Sequence, residues 1–223
     1  MTTVSEENYL KSIYTLSAGA EVFVNTNQLA THFGIAPASV TDMLKKMAVK
    51  KWIIYKAYKG AYLSSSGLII ALQLIRKHRL WEYFLSTKLG FQWSEVHDIA
   101  EELEHINSTE LINRLAIYLG KPKHDPHGDP IPDENGCINN CRLTPLSKLK
   151  CNETSTLKAV SNQSKLFLES LNSQGIQLNS SYKITSINAY DQSMQLENSK
   201  KEKIYLSQKM SENLLMKKNK KNA

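Results

Sequence analysis

Residues 28–44, Gln-Leu-Ala-Thr-His-Phe-Gly-Ile-Ala-Pro-Ala-Ser-Val-Thr-Asp-Met-Leu, constrain the fold of this chain more than any other stretch. Gly34 separates two short helical patterns, 27–33 and 37–50, at a point where a tight turn needs a left-handed residue. Ala30, four residues earlier, is small enough to let two helices cross closely. Leu29, Phe33, Ile35, Val40 and Met43 are expected to bury apolar surface between them. Pro37 suits the first turn of the second helix, where its missing N–H costs nothing. The pattern predicts a helix-turn-helix. An amphipathic helix at 6–17, with Tyr9, Leu10, Ile13, Tyr14 and Leu16 on one stripe, precedes it. An alternating stretch rich in Ile and Tyr, 52–63, follows with Lys59-Gly60 as its turn, and reads as the β-hairpin of a wing.

This arrangement leaves Pro37, Ala38, Ser39, Thr41 and Asp42 at the exposed start of the second helix, the end that meets base edges in the major groove. Lys45 and Lys46 are placed for phosphates, as are Lys56 and Lys59 on the wing beside Tyr58. Lysine and arginine outnumber aspartate and glutamate by 28 to 21, a net charge of +7 that favours a polyanion such as double-stranded DNA. Part of the excess, Lys217, Lys218, Lys220 and Lys221, belongs to the chain's end and reads as a solvated tail. The competing readings are a helical hairpin with no role on DNA, and a winged helix that docks a protein.

Beyond the hairpin, a long helix is expected from 66 to 88 and shorter ones at about 94–106 and 108–119. Four prolines and two glycines between Lys121 and Gly136 end the helical region. The last third, rich in Ser, Asn, Thr and Lys with short apolar runs, suits a small β-barrel with one helix near 163–173. The longest apolar run, Leu68–Ile75, is broken by Gln73 and is too short to span a bilayer. Met1–Asn8 is polar and acidic, unlike a secretory signal, so a cytoplasmic protein without membrane contact is expected. Cys137, Cys141 and Cys151 are an odd number, which argues against a disulfide framework. The C-x3-C pair could hold a metal or act as a redox pair, but no second ligand pair accompanies it, and free thiols are the expected state.

The chemistry concentrates at His97-Asp98-Ile99-Ala100-Glu101-Glu102-Leu103-Glu104-His105. At about 100° per residue, His97, Glu101, Glu104 and His105 fall on one helix face, with Val96, Ile99, Ala100, Leu103 and Ile106 opposite. His78 and Glu82 are likewise neighbours one turn apart on the preceding helix. Two antiparallel helices would bring the six together. A single such face is usually just solvated, but two facing ones suit Mn(II), Fe(II) or Zn(II). The absence of thiol or thioether from the set leans towards the harder manganese. No H-E-x-x-H motif or nucleophile elbow is present, so an enzyme is not expected.

These segments resemble the iron- and manganese-dependent repressors related to the diphtheria toxin repressor, and most of all their manganese-responsive branch. The resemblance rests on Glu7-Asn8-Tyr9-Leu10-Lys11-Ser12-Ile13-Tyr14, the helix-turn-helix, Arg76-Lys77-His78-Arg79-Leu80, Val96-His97-Asp98 with Glu101-x-x-Glu104-His105, and Pro126-His127-Gly128-Asp129-Pro130-Ile131-Pro132. It covers residues 5–135 well and the remainder weakly. It implies a mainly α chain with a small β part: a winged helix-turn-helix at 1–64, a helical metal-binding and dimerisation domain at 65–136, a linker at 137–149, an SH3-like (FeoA-like) β-barrel at 150–215 and a basic tail at 216–223. By position, His78, Glu101, Glu104 and His105 correspond to the main regulatory site, Glu82 and His97 to an ancillary one, and Asp125 and His127 to a contribution from the linker. Glu101 stands where iron-sensing relatives carry cysteine and manganese-sensing ones glutamate. Asn8 replaces the aspartate or methionine of the family, and its amide oxygen can still ligate a hard cation. Lys11 replaces a second acidic ligand of some manganese-type members, and Asn162 falls near another acidic position.

The implied function is a homodimeric, metal-dependent repressor of metal-transport genes. Metal would bridge the first helix, through Asn8, to the dimerisation helices, so that two recognition helices match two half-sites of an operator. Mn(II) is the expected ion, Fe(II) the alternative, with Zn(II) or Co(II) as substitutes. A winged-helix regulator whose acidic cluster is purely structural is the other reading.

Overall fold

A computed structural model describes residues 2–138 and 142–218. The elements in chain order are α1 (Val4–Leu16), α2 (Thr26–Phe33), α3 (Pro37–Val49), β1 (Ile53–Lys56), β2 (Gly60–Leu63), α4 (Ser65–Leu89), α5 (Val96–Leu103), α6 (Thr109–Tyr118), β3 (Thr144–Pro145), β4 (Thr154–Val160), α7 (Lys165–Ser173), β5 (Ser181–Ile187), β6 (Met194–Glu197), β7 (Lys203–Leu206), α8 (Gln208–Glu212) and β8 (Leu214–Lys218). They form two compact units. Among the described residues, the first comprises 2–78, 101–115 and 132–138; the second comprises 79–100, 116–131 and 142–218. Among the described residues no helix is long and apolar enough to cross a membrane.

In the first unit, local chemistry sets the helix starts. Thr3 and Glu6 cap α1 reciprocally, and Asn25 and Gln28 do the same for α2, satisfying N–H groups that a helix start leaves open. Gly34 ends α2 at φ 65°, ψ 31°, the left-handed turn expected of it, and Pro37 opens α3. Tyr9, Leu10 and Ile13 of α1, Leu29 of α2, Val40, Leu44 and Met47 of α3, and Ile53 and Ala61 of the hairpin make one buried core. The hairpin pairs Ile53 with Leu63 and Lys56 with Gly60. Ile35 departs from expectation: it is 42% exposed, because the left-handed residue before it turns the chain outward, and Leu44 and Met47 supply the buried surface instead.

The second unit holds a six-stranded antiparallel sheet in the order β3-β8-β4-β5-β6-β7, with α7 and α8 between strands. Its core includes Leu146, Leu149, Leu157, Leu168, Leu171, Ile184, Leu196, Leu214 and Met216. The expected small C-terminal β domain is this sheet, with β3 and β7 at the ends of the strand order. Two sequence boundaries shift. Residues assigned to a linker enter the sheet, since Thr144 pairs with Met216 and Leu146 and Leu149 are buried. The segment assigned to a basic tail begins inside β8, which lies between β3 and β4; Leu157 pairs with Met216 and Ser155 with Lys218. Hydrophobic count alone hid this strand, because its last two residues are lysines that keep their backbone bonds while their charges reach solvent. Cys137 is exposed with a free thiol, as is Cys151; Cys141, the other cysteine of the C-x3-C spacing, lies outside the described residues, as do Lys220 and Lys221.

Candidate metal centres and nucleic-acid face

The start of α3 presents an uncapped, exposed surface. Pro37, Ala38, Ser39 and Asp42 are exposed, as are Lys45 and Lys46 one turn further on. Thr41 is half-buried, and its hydroxyl donates to the Pro37 carbonyl at 3.0 Å. That bond turns the hydroxyl back along the helix. Lys56, Tyr58 and Lys59 are exposed on the hairpin, with Tyr58 at its tip in the left-handed region, φ 65°. Four lysines and a polar helix start in one unit make a surface able to grip phosphates and approach base edges.

A first cluster of titratable groups lies in the same unit, where α1 meets the end of the first half of α4 and the residues after 100. His78 Nδ1 is 2.6 Å from Glu104 Oε2, and Lys11 Nζ donates to Glu104 Oε2 at 2.7 Å and to Glu101 Oε1 at 3.3 Å. The His105 ring stands between two carboxylates, with Nδ1 2.7 Å from Glu7 Oε2 and Nε2 3.8 Å from Glu104 Oε1. Glu104 is 1% exposed. Burial alone would raise its pKa, but the hydrogen bond from His78 and the charge of Lys11 outweigh burial and hold the carboxyl below its ordinary range. Glu104 is therefore an ionised group whose charge is already answered by this chain's own side chains.

A second cluster lies wholly in the second unit. Glu82 from α4, Asp125 and His127 from the proline-rich segment bring one ligand atom each to within 4.8 Å of one another, all three residues buried. His127 Nδ1 is 3.6 Å from Glu82 Oε2, and His97 Nδ1 is 3.5 Å from Glu82 Oε1. The segment builds this geometry itself. Asp125 Oδ1 accepts the N–H groups of His127 and Asp129, at 2.8 and 3.0 Å, which fixes the carboxylate and leaves Oδ2 turned inward. Gly128, at φ 91°, lets the loop press on β4: a Cβ there would lie 1.9 Å from the Lys158 carbonyl oxygen. His127 Nε2 lies 2.7 Å from the Trp93 carbonyl, which can only accept. The proton of a neutral ring therefore sits on Nε2, and the Nδ1 lone pair faces Glu82.

The second cluster answers its charge less closely. Asp125 Oδ2 and His127 Nδ1 are buried without a hydrogen-bond partner, and the Arg79 guanidinium reaches Asp125 Oδ2 only at 3.5 Å. Burial, with the Glu82 and Asp129 carboxylates beside it, pushes the Asp125 carboxyl up to about 7 against the pull of Arg79 and His127. Burial would lower the His127 pKa, but the Glu82 and Asp125 carboxylates raise it to about 9. Two carboxylates and an imidazole buried together fit a divalent cation, which would take the place of the proton that the His127 ring holds beside Glu82.

The expected donors are thus divided between the units. His78, Glu101, Glu104 and His105 lie in the first unit; Glu82, His97, Asp125 and His127 lie in the second. Asn8 is half-buried on α1 but takes no part in the contacts of the first cluster. Glu7 and Lys11 reach it instead, one helical turn apart and so on one face of α1, whereas Asn8 is rotated about 100° from Glu7. The signal that marks Glu7 is its register one helical turn from Lys11, not its place in the motif. Asn162, half-buried, spends its side-chain oxygen on the Ser164 N–H at 2.9 Å, which turns the chain into α7. The neighbouring Gln163 meets Asp129 at 2.9 Å.

Comparisons with known proteins agree with these features. Residues 1–61 match the iron dependent repressor N-terminal DNA binding domain, and residues 64–133 match the iron dependent repressor metal binding and dimerisation domain. A "Probable metal transport system membrane protein" of Chlamydia trachomatis is 33% identical over 133 residues, 60% of this chain but only 29% of that protein. The HTH-type transcriptional regulator MntR of Bacillus velezensis is 32% identical over 115 residues, 52% of this chain and 80% of the relative. The structure of a manganese-dependent transcriptional repressor in complex with manganese superposes with a TM-score of 0.87 at 29% identity, covering 96% of this chain and all of the other. On the matched domains and these relatives together, the chain belongs to the iron-dependent repressor family, the metal-dependent, non-enzymatic transcriptional regulators related to the diphtheria toxin repressor and MntR.

Proposed function

We propose that this chain is a Mn(II)-responsive repressor that binds operator DNA as a homodimer in the cytoplasm and controls genes of metal-ion transport. The observation that carries the metal reading is the second cluster: Asp125 Oδ2 and His127 Nδ1, buried beside Glu82 with no hydrogen-bond partner. Glu82, Asp125 and His127, with His97 beside them, are the residues that would hold the ion. A bound divalent cation would supply the positive charge that the two buried carboxylates lack. Oxygen and imidazole donors without sulfur favour manganese, with Fe(II) next and Zn(II) or Co(II) as substitutes.

The chain's own residues do the rest. Asp125 and His127 draw the loop towards α4, and the His127 carbonyl accepts the Val160 N–H at 3.0 Å, tying that loop to β4. In the other unit, Glu7 and Lys11 hold α1, and with it the core under α2 and α3, to the residues around Glu104. Pro37, Ala38, Ser39, Thr41 and Asp42 read base edges, while Lys45, Lys46, Lys56 and Lys59 grip phosphates. Ile117 and Tyr118, exposed at the end of α6, supply apolar surface for a second copy. Similarity to MntR, and to the Chlamydia protein described as a probable metal transport protein, supports transport genes as the target.

The test is a titration of apo protein on operator-like DNA with Mn(II), Fe(II) and Zn(II) at fixed salt, since phosphate contacts make affinity steeply salt-dependent. Tightening by Mn(II) at lower concentration than the others supports the reading; tightening by Fe(II) first makes it an iron sensor. No response to any metal leaves a winged-helix regulator whose acidic clusters are structural, and overturns it.

A further inference from the structure

Where the resemblance leads one to expect a second acidic group on α1, this chain carries Lys11, and its ammonium sits inside the first cluster. It lies 2.7 Å from Glu104 Oε2, 3.3 Å from Glu101 Oε1 and 3.2 Å from His78 Nδ1. An ammonium has three donors and no lone pair, so it demands what a metal ion demands of its surroundings, oxygen acceptors and negative charge. His78 Nδ1 is also 2.6 Å from Glu104 Oε2. A carboxylate oxygen only accepts, so the proton of that contact belongs to His78 Nδ1. The lysine is itself largely covered, its side chain 17% exposed against 1% for Glu104, so this is not a solvated surface pair. The inner part of the first cluster therefore does not fit a divalent ion: a cation of the chain's own stands among its donors.

We infer that Lys11 is a tethered cation, an ammonium standing in for metal between Glu101 and Glu104, which anchors α1 with no ion at that place. The biological meaning of this rests on the repressor reading above, because it moves metal control away from the α1 anchor and onto the cluster of Glu82, Asp125 and His127. Charge supports it. Glu101 and Glu104 both lie within 3.3 Å of one ammonium; with glutamate at position 11 the same space would hold three carboxylates and lose that cation. Carboxylates so crowded require added positive charge, which the lysine makes unnecessary.

The experiment uses the full chain and the variants Lys11→Glu and Lys11→Met, without DNA. Mn(II) bound per chain is counted by equilibrium dialysis, and thermal melting is followed in EDTA and in Mn(II). The Lys11→Glu chain is expected to bind one more Mn(II) than wild type and to melt lower in EDTA, with Mn(II) restoring it. The Lys11→Met chain keeps the apolar stem, removes the charge and is expected to melt lower than wild type in EDTA. Should Lys11→Glu fail to fold without metal, refolding in Mn(II) and the Lys11→Met melt decide the matter. Equal Mn(II) counts for wild type and Lys11→Glu, or an unchanged Lys11→Met melt in EDTA, overturn the inference. A shift assay in EDTA separates this from the functional reading. Wild type should retain DNA affinity better than Lys11→Met by about tenfold, the factor that 1.4 kcal/mol represents. DNA binding by none of the chains, in any metal, would overturn the repressor reading while the melts and counts still decide the role of Lys11.

Discussion

The two clusters use the same alphabet, glutamate, aspartate and histidine, and reach opposite electrostatic states. Around Glu104 an ammonium and an imidazole converge on one buried carboxylate, and its pKa falls below the ordinary range. Around Asp125 two carboxylates share a buried space, the nearest guanidinium also bonds elsewhere, and the Asp125 pKa rises to about 7. Burial is similar in both; what differs is how closely a cation of the chain's own approaches the carboxylate, Lys11 at 2.7 Å from Glu104 against Arg79 at 3.5 Å from Asp125. Residue type at a metal-like motif thus says little about metal demand until the net charge of the enclosed space is known.

The largest expected effect is a break in the first cluster. Lys11→Met, in EDTA, should destabilise the chain by about 3 kcal/mol, the cost of leaving one partner of a buried ion pair uncompensated. Urea unfolding measures it, and a change within error would equate the two clusters after all. Next comes the second cluster. Mn(II) at about a hundred times its Kd should stabilise the wild-type chain by about 2.7 kcal/mol, and Asp125→Asn should abolish most of that increment. In EDTA, Asp125→Asn should be close to wild type, because it removes a carboxylate already crowded by Glu82. Equal melting increments in the two chains would show that Mn(II) acts elsewhere.

Smaller effects sharpen the contrast within α1. Glu7→Gln removes a charged partner of His105 and should cost about 1.5 kcal/mol, whereas Asn8→Ala should stay within about 0.5 kcal/mol. The reverse order in paired melts would restore Asn8 as the α1 donor. Smallest for stability is Lys46→Ala, which should leave both melts and Mn(II) counts unchanged while reducing the salt slope of DNA binding by about one. An unchanged slope would remove Lys46 from the DNA face.

Local chemistry made much of this molecule legible before its structure. Gly34, Pro37 and the alternating 52–63 stretch marked the winged helix, because turns, helix starts and strand alternation depend on neighbours in the chain. The long helix was legible for the same reason: its 3.6-residue period needs no distant partner. His78, Glu82, His97, Glu104, Asp125 and His127 were recognisable as chemistry-bearing residues by type, spacing and resemblance. Strand β8 was not recognised, because a central strand ending in two lysines resembles a solvated tail until Met216 is seen opposite Thr144 and Leu157.

What only the tertiary structure decided is the charge balance of each cluster. Sequence spacing put Asn8 and Lys11 on the same helix as Glu7, but the packing of α1 turned Glu7 and Lys11 to Glu104 and His105. Sequence motif put Asp125 and His127 in a proline-rich segment, but the Asx turn, Gly128 against β4 and the Trp93 carbonyl aimed their remaining lone pairs at Glu82. Residue identities, periods and turns are local and can be read along the chain. Whether a buried carboxylate meets an ammonium or another carboxylate depends on which distant segments share its low-dielectric space, and packing alone brings those segments together.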